Sequence, residues 1–382
     1  MHYVELIMEK KWGSIMKLLI HDYNNEEWSK VATNYEGWKI ISDDGNIRPC
    51  IGCFGCWLKT PGQCVIKDGY DQMGKLIHEA DEVLIISKYT YGGFSGFIKN
   101  VMDRSIGYLL PFFRIYKGEM HHKPRYKEHK KIRFVFRGAD LTVEDKAKAC
   151  KYVEAVAKNF NTKPEDVSFE ECQAEKVVGQ EKESVVVGKT ILINCSLRGE
   201  NANSKKFLDV IAGQLVDDAT IINLTSYENK LDELVDILMT GEKLVFGMPL
   251  YVDGLPSQVV RLMELFEKHC VYDKKVYVVS NMGFYESRQL ANLMSMVKDW
   301  CKACGIEYCG GVAIGGGGMM GSVIKYGSNG PGKNVYDSLV TLGERINKSD
   351  NSSDIYTSAY KFPRFMYFFA ANSGMKRGME TK

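Results

Sequence analysis

Cys50, Cys53 and Cys56 are each separated by two residues, and Cys64 follows after seven more. Thiolates spaced this closely on one tight loop can turn toward a common centre, which suits an iron–sulfur cluster. The spacing leaves three other readings open. A structural zinc would use the same ligands, although zinc more often draws on two separated Cys pairs; Cys53 and Cys56 could form a thiol redox couple; and small side chains also simply pack. The chain holds 11 cysteines in 382 residues, and clustering in a chain of that length points to metal or redox chemistry rather than to a disulfide framework.

A second constellation follows an apolar run at Thr190 to Cys195: Ser196, Arg198, Asn201, Asn203 and Ser204, immediately before an amphipathic segment. Strand, polar loop and helix start together make an anion site. The first backbone N–H groups of a helix lack internal partners and sit at the positive end of its dipole. Hydroxyl and amide side chains add donors, and Arg198 adds a charge-assisted one. The competing reading is that Asn203 or Ser204 only caps the helix. Two later loops bear on the choice. Pro249, Leu250, Tyr251, Val252 and Gly254 follow one apolar run, and Asn281, Gly283 and Phe284 follow the next. In a doubly wound sheet of order 2-1-3-4-5, such loops flank one crevice at the carboxyl ends of the strands. Phosphate donors, an aromatic plane and backbone amides in one crevice suit a phosphate-bearing ring system better than a bare phosphate.

The elements that must hold these loops are legible in the hydrophobic pattern. Apolar runs at Thr190 to Cys195, Thr220 to Leu224, Lys243 to Met248, Lys275 to Ser280 and Ile306 to Ile314 alternate with stripes such as Phe207, Leu208, Ile211, Leu215 and Leu231, Leu234, Leu238. Strand and helix in alternation predict a parallel sheet with helices on both faces. The first half predicts the same, with strands at Lys17 to Ile20, Trp38 to Ser42, Glu82 to Ser87, Ile132 to Phe136 and Val167 to Phe169, and a helix over Asp145 to Phe160. The expected architecture is therefore α/β, two doubly wound domains of five parallel strands each, over 16–175 and 188–382. The polar stretch from Gln173 to Gly188 reads as their linker. The residues before Met16 read as an appended leader with no assigned function. Tyr89 to Ser95 and Tyr251 to Ser257 occupy matching places after each third strand, which argues for a diverged internal duplication.

With Ser196, Arg198, Asn201, Asn203 and Ser204 in the first loop, and Pro249, Tyr251 and Gly254 in a Pro-x-Tyr-x-x-Gly loop, the second half resembles the NADPH-dependent FMN reductase and iron–sulfur flavoprotein branch of the flavodoxin-like superfamily. Arg261 stands where that family more usually has Lys. The Cys50, Cys53, Cys56, Cys64 pattern resembles the compact cysteine motif of the iron–sulfur flavoproteins. The resemblance implies FMN in the second half, a [4Fe–4S] cluster on the four cysteines, NAD(P)H as donor and a small oxidant such as a quinone or flavin as acceptor. Two alternatives are an electron carrier that exchanges electrons with a ferredoxin-like partner, and a redox sensor without turnover. Sites of this family are commonly completed by a second subunit. A tandem chain could supply both as an internal pseudo-dimer, with or without further homo-oligomerisation, and bring the cysteine loop of one half to the flavin of the other. The first half departs from the pattern. After its first strand come His21, Asp22, Tyr23, Asn24, Asn25, Glu26 and Glu27, whose carboxylates would repel a phosphate.

A formal net charge of +2 gives no electrostatic reason to expect nucleic acid. No apolar run is long enough for a membrane span, so the expectation is a cytoplasmic protein. Three smaller signals are read plainly. Adjacent His121 and His122 in a charged stretch read as solvated. Gly315 to Gly318 lacks the first-strand setting of a dinucleotide fingerprint and reads as a close turn. Phe362 to Phe369 is too short to span a membrane and reads as a segment docked on the body, in a position to cover the site.

Overall fold

The computed structural model describes residues 15–173, 180–181, 189–270 and 273–380. The leader, except Ile15, and most of the Gln173 to Gly188 stretch lie outside the described residues.

In the first half β1 (Lys17–His21), β2 (Lys39–Ile41), β3 (Glu82–Thr90), β6 (Lys131–Gly138) and β7 (Lys163–Glu171) form a parallel sheet in the order β2-β1-β3-β6-β7. The pair Gly93–Phe94 folds back antiparallel on the end of β3. In the second half β8 (Thr190–Asn194), β9 (Ala219–Asn223), β10 (Lys243–Pro249), β11 (Lys275–Asn281), β12 (Glu307–Ile314) and β13 (Ile355–Thr357) run β9-β8-β10-β11-β12-β13, again parallel. Both halves therefore have the expected doubly wound order. The second sheet gains a sixth strand that the sequence reading omitted, because three residues carry no alternation to detect. Every residue of β8 is buried, as a central parallel strand covered on both faces requires.

The sequence reading also passed over an antiparallel hairpin, β4 (Leu109–Tyr116) and β5 (Glu119–Pro124), between the third and fourth strands of the first sheet. The first half's helices are α1 (Asn25–Val31), α2 (Gly55–Leu58), α3 (Met73–Glu79), α4 (Gly96–Arg104) and α5 (Val143–Phe160). A capping box starts α5: Thr142 accepts from the Asp145 amide and Asp145 from the Thr142 amide. The second half carries α6 (Asn203–Ala212), α7 (Leu231–Met239), α8 (Ser257–Glu267), α9 (Ala291–Cys304), α10 (Gly317–Val323), α11 (Lys333–Lys348) and α12 (Arg364–Glu380). Among the described residues no helix is long and apolar enough to cross a membrane.

The halves share one hydrophobic core, in which Phe94 and Tyr152 of the first join Val259, Met263 and Met296 of the second. The two matching loops meet there. An added Cβ at Gly93 would lie 2.9 Å from Met296 Cε, and one at Gly254 would lie 3.0 Å from Met296 Sδ and from the Tyr152 ring. Polar pins cross the same face: Lys148 Nζ to Asp299 at 2.6 Å, the Tyr91 hydroxyl donating to Glu267 at 2.5 Å, the Tyr152 hydroxyl donating to the Val252 carbonyl at 3.2 Å, and the Ser257 amide donating to Asp103 at 3.1 Å.

Candidate functional site

The carboxyl ends of β8, β10 and β11 open into a cavity of about 650 Å³. Its walls from the second half include Ser196, Arg198, Asn203 and Ser204 after β8, Pro249, Leu250, Tyr251, Val252 and Asp253 after β10, and Asn281 to Phe284 after β11. Two of the expected residues lie elsewhere. Asn201 is exposed and Gly254 is buried, and neither lines the cavity. Gly254 gives room to Tyr152 and Met296 across the shared core, so its lack of a side chain serves packing between the halves.

At the β8 end, Ala202 stands at the N-cap of α6 and offers no side-chain cap, which leaves the first amides of the helix open to an acceptor. Ser204 Oγ accepts from Asn281 Nδ2 at 2.8 Å, so its own hydrogen is free to donate. Asn203 lines the cavity and also does structural work. Its amide donates to the Gly317 carbonyl at 3.0 Å, and its side chain packs so tightly on Gly321 that an added Cβ there would come within 2.0 Å. It clamps α10 to α6. The Gly315 to Gly318 run forms the close turn the sequence suggested. The Gly316 amide donates to the Phe284 carbonyl at 2.6 Å and that of Gly317 to Met282 at 2.7 Å, which brings Gly318 to the cavity wall.

The remaining wall comes from the first half. Cys50, Cys53, Cys56 and Cys64 all line the cavity, on a loop that turns through left-handed backbone at Gly52 and Phe54. Arg104 at the end of α4 anchors that loop. It makes a two-pronged pair with Asp68 at 2.8 and 2.9 Å, donates to the carbonyls of Arg48 and Ile66, and places Nε 3.1 Å from Cys64 Sγ. Burial, and then the Asp103 carboxylate, push the Cys50 thiol upward; burial and the neighbouring Cys64 and Cys53 push Cys56 up to about 12. Without a cation these two sulfurs stay protonated at neutral pH, and a bound metal is what would hold them as thiolates. Among the described residues no three His, Cys, Asp or Glu side chains converge as a single metal ion would require. The donor set, four thiols on one cavity wall, is of the chemical type that an iron–sulfur cluster uses.

Of the two parts of the roof, the hairpin escaped the sequence reading and the C-terminal segment did not. His121 and His122 lie on β5 rather than in a solvated loop, and His121 is only 2% exposed. The His122 ring sits 4.7 Å from Trp57, 5.1 Å from Phe113 and 5.3 Å from Phe284, and burial lowers its pKa to about 4, so it is neutral. The hairpin is bound to the second half by the Met120 amide donating to Glu286 at 3.0 Å and by Arg288 with Glu119 at 3.2 Å. Helix α12 supplies the rest. Tyr367 donates to the Gly283 carbonyl at 2.6 Å, and Asn372 accepts from the Phe113 amide at 2.7 Å. The aromatic run in this helix belongs to the Phe362 to Phe369 segment that the sequence placed against the body, and Tyr367, Ala370 and Ala371 line the cavity.

The corresponding end of the first sheet is filled by its own side chains. Asn24 and Glu27 form a capping box on α1, and Arg137 occupies the loop, 3.0 Å from Asp22, 2.7 Å from Glu27 and stacked 4.0 Å from the Tyr23 ring. The helix amides and the cation that would attract a phosphate already have partners.

No family model matches the chain. It is similar to an iron–sulfur flavoprotein of Methanocaldococcus jannaschii, 42% identical over 62 residues that cover 16% of this chain and 31% of that protein. An iron–sulfur flavoprotein of Archaeoglobus fulgidus is 29% identical over 99 residues, 26% of this chain and 42% of that one. The chain thus spans less than half the length of the curated relatives it matches. Among solved structures, a Trp repressor binding protein from Bacillus subtilis is 18% identical with a TM-score of 0.31, covering 43% of this chain and 99% of that chain. The resemblance to the iron–sulfur flavoprotein branch of the flavodoxin-like superfamily stands on these sequence matches together with the paired doubly wound sheets.

Proposed function

We propose that the chain is an FMN-dependent oxidoreductase that takes electrons from NAD(P)H and passes them to a small acceptor such as a quinone or flavin, with a [4Fe–4S] cluster on Cys50, Cys53, Cys56 and Cys64. The observation that carries this reading is the single cavity walled on one side by the loops after β8, β10 and β11 and on the other by the four-cysteine loop. The uncapped start of α6, Ser196, Ser204 and Arg198 would receive the phosphate; Tyr251 and the Asn281 to Phe284 loop would border the ring. Bound FMN would supply the hydride and electron chemistry. The protein's own part is to hold the ring against Tyr251, keep water out with the aromatic hairpin and α12, and set the cysteine loop beside it.

Anaerobically purified protein should contain about one FMN per chain, with iron and acid-labile sulfide. NADH or NADPH should bleach the flavin band without oxygen. A protein that binds no flavin when titrated with FMN would end the proposal. Zero iron and sulfide with normal flavin would remove the cluster alone.

A second reading, electron exchange with a ferredoxin-like protein, is favoured by the exposure of Cys53 and Phe54 at the protein surface. Iron-containing protein reduced by ferredoxin but not by nicotinamides would select it.

Arg198→Ala should weaken FMN binding about 10- to 100-fold, the worth of one charge-assisted hydrogen bond to phosphate. Quenching of flavin fluorescence measures it. Riboflavin, which lacks the phosphate, should bind both forms alike.

A further inference from the structure

Asp253 is a carboxylate that the proposed cofactor site does not use. It is 3% exposed, lies next but one to Tyr251, and forms part of the cavity wall. Asn159 on α5 of the other half reaches across to it, donating from Nδ2 to Asp253 Oδ2 at 3.2 Å. The other end of that amide is poorly satisfied: Asn159 Oδ1 is buried and accepts no hydrogen bond of good geometry, its nearby donor being the His121 ring, and Asn159 lines the same cavity. A buried acceptor without a well-placed donor is costly, and it marks a place for an O–H or N–H of a molecule in the cavity.

The geometry points to Asp253 as the proton donor to an acceptor reduced in this cavity, with Asn159 as its positioning residue. This rests on the oxidoreductase reading above and names the acceptor class, a quinone-type carbonyl compound. The step balances as follows. NAD(P)H supplies, by way of the cofactor, two electrons and one hydrogen as hydride. The quinone that receives it is left as a singly charged anion. Asp253 breaks its O–H bond and gives that proton to the anionic oxygen, forming the hydroquinone. The carboxylate left behind regains a proton from water, and the new hydroxyl can donate to Asn159 Oδ1.

The surroundings set Asp253 for this role. Burial raises its pKa to about 7, opposed by the Asn159 hydrogen bond and by the charges of Lys99 and Lys158, with Glu119 adding to the rise. Facing it are Lys99 from α4, which pairs with Asp103, Lys158 and Asn159 from α5, and Glu119 from β5, which pairs with Lys158 and His121. A general acid works best with its pKa near the operating pH.

Asp253→Asn is the direct test. Asn tolerates the left-handed backbone that Asp253 adopts at φ 57°, so the loop should keep its shape. In FMN-loaded protein reduced by NAD(P)H, benzoquinone reduction should fall about 100-fold and lose its decline between pH 6 and 8. Ferricyanide takes electrons without protons, and its rate should stay within twofold. Equal losses with both acceptors, or an unchanged quinone rate, would overturn the assignment. A readout without turnover accompanies it. The infrared difference between the flavin-free wild type and D253N should show a protonated carboxyl at pH 6 that is gone by pH 8. A carboxyl already ionised at pH 6 would overturn it. Asn159→Ala should move that titration to higher pH, because it removes a donor to the charged form. If the chain binds no FMN, the quinone arm and the functional reading fail together, while the infrared titration still reports on Asp253.

Discussion

Lys99→Met is expected to destabilise the chain by about 3–5 kcal/mol, the loss that follows when one partner of a buried ion pair is removed. Lys99 and Asp103 are side chains of 0% and 1% exposure, four residues apart on α4. Burial pulls the Lys99 pKa down and pushes that of Asp103 up, so each charge depends on the other. Asp103 also accepts the Ser257 amide from the opposite half. Without Lys99 its carboxylate is left in the shared interface with the neutral amide and hydroxyl of Ser257 as donors. A carboxyl whose folded pKa is raised loses stability as pH climbs from its unfolded value to its folded one. The K99M deficit should therefore be smaller at pH 5 than at pH 8. K99M/D103N removes the orphaned charge and should recover much of the loss. Urea unfolding followed by Trp fluorescence measures all three, and a K99M deficit below about 1 kcal/mol, the range of exposed pairs, would mean that the pair is not buried as described. The same helix ends in Arg104, which ties down Asp68 and Cys64, so K99M protein should also retain less of the proposed cluster's iron.

The strands and their order were open to reading because a parallel sheet covered on both faces needs near-continuous apolar runs, and Thr190 to Asn194 or Lys243 to Met248 have few other uses. The placement of Ser196, Arg198, Asn203 and Ser204 at the cavity wall was legible for a similar reason: a polar loop between a buried strand and an amphipathic helix has a narrow range of conformations. The approach of the cysteine loop to the other half's cavity was expected from the resemblance; what failed to show were the individual contacts made across the two halves. Asn159 and Asp253 are 94 residues apart, and Met120 meets Glu286 across 166 residues. The hairpin reads as a charged loop because its apolar partners, Phe284 and Trp57, belong to other elements. Gly254 was read as a ligand-side glycine because its spacing fits the motif, whereas the close approach it permits is to Tyr152. Local pattern specifies elements; a cavity between duplicated domains is specified by surfaces that only the fold brings together.

The duplication also explains why the halves differ. Both matching loops serve the common interface, through Tyr91 on one side and Gly254 on the other, yet only one sheet end stays open. In the first half Arg137 and the Asn24 cap occupy the positions from which α6 and its loop face the cavity in the second. The first half has kept the interface and contributes cysteines, hairpin and Asn159 to its neighbour's cavity.

That division makes Gly52→Ala the second large prediction. Gly52 adopts φ 63°, and a Cβ there would lie 2.1 Å from Tyr251 Oη and 3.2 Å from Cζ. Two costs combine: roughly 1–2 kcal/mol for an L-residue in left-handed backbone, and about 1–3 kcal/mol for overpacking. Gly45→Ala separates them, since Gly45 has φ 78° and open space around its missing Cβ; it should cost about 1–2 kcal/mol, the backbone strain alone. Tyr251→Phe deletes the hydroxyl that collides, so in that background G52A should cost little more than G45A. The cycle is thus expected to yield a coupling of about 1–3 kcal/mol, against less than about 0.5 kcal/mol for residues that do not touch. If the G52A chain instead relieves the clash by swinging Tyr251 into the cavity, stability is spared. FMN affinity should then fall at least tenfold and return in G52A/Y251F. Additive stabilities together with normal FMN binding would mean that the ring does not rest on the cysteine loop. Loss on either measure, repaired by removing one oxygen atom, would establish that this contact between the halves holds the loop bearing Cys50 and Cys53 in register with the Tyr251 ring at the cavity wall.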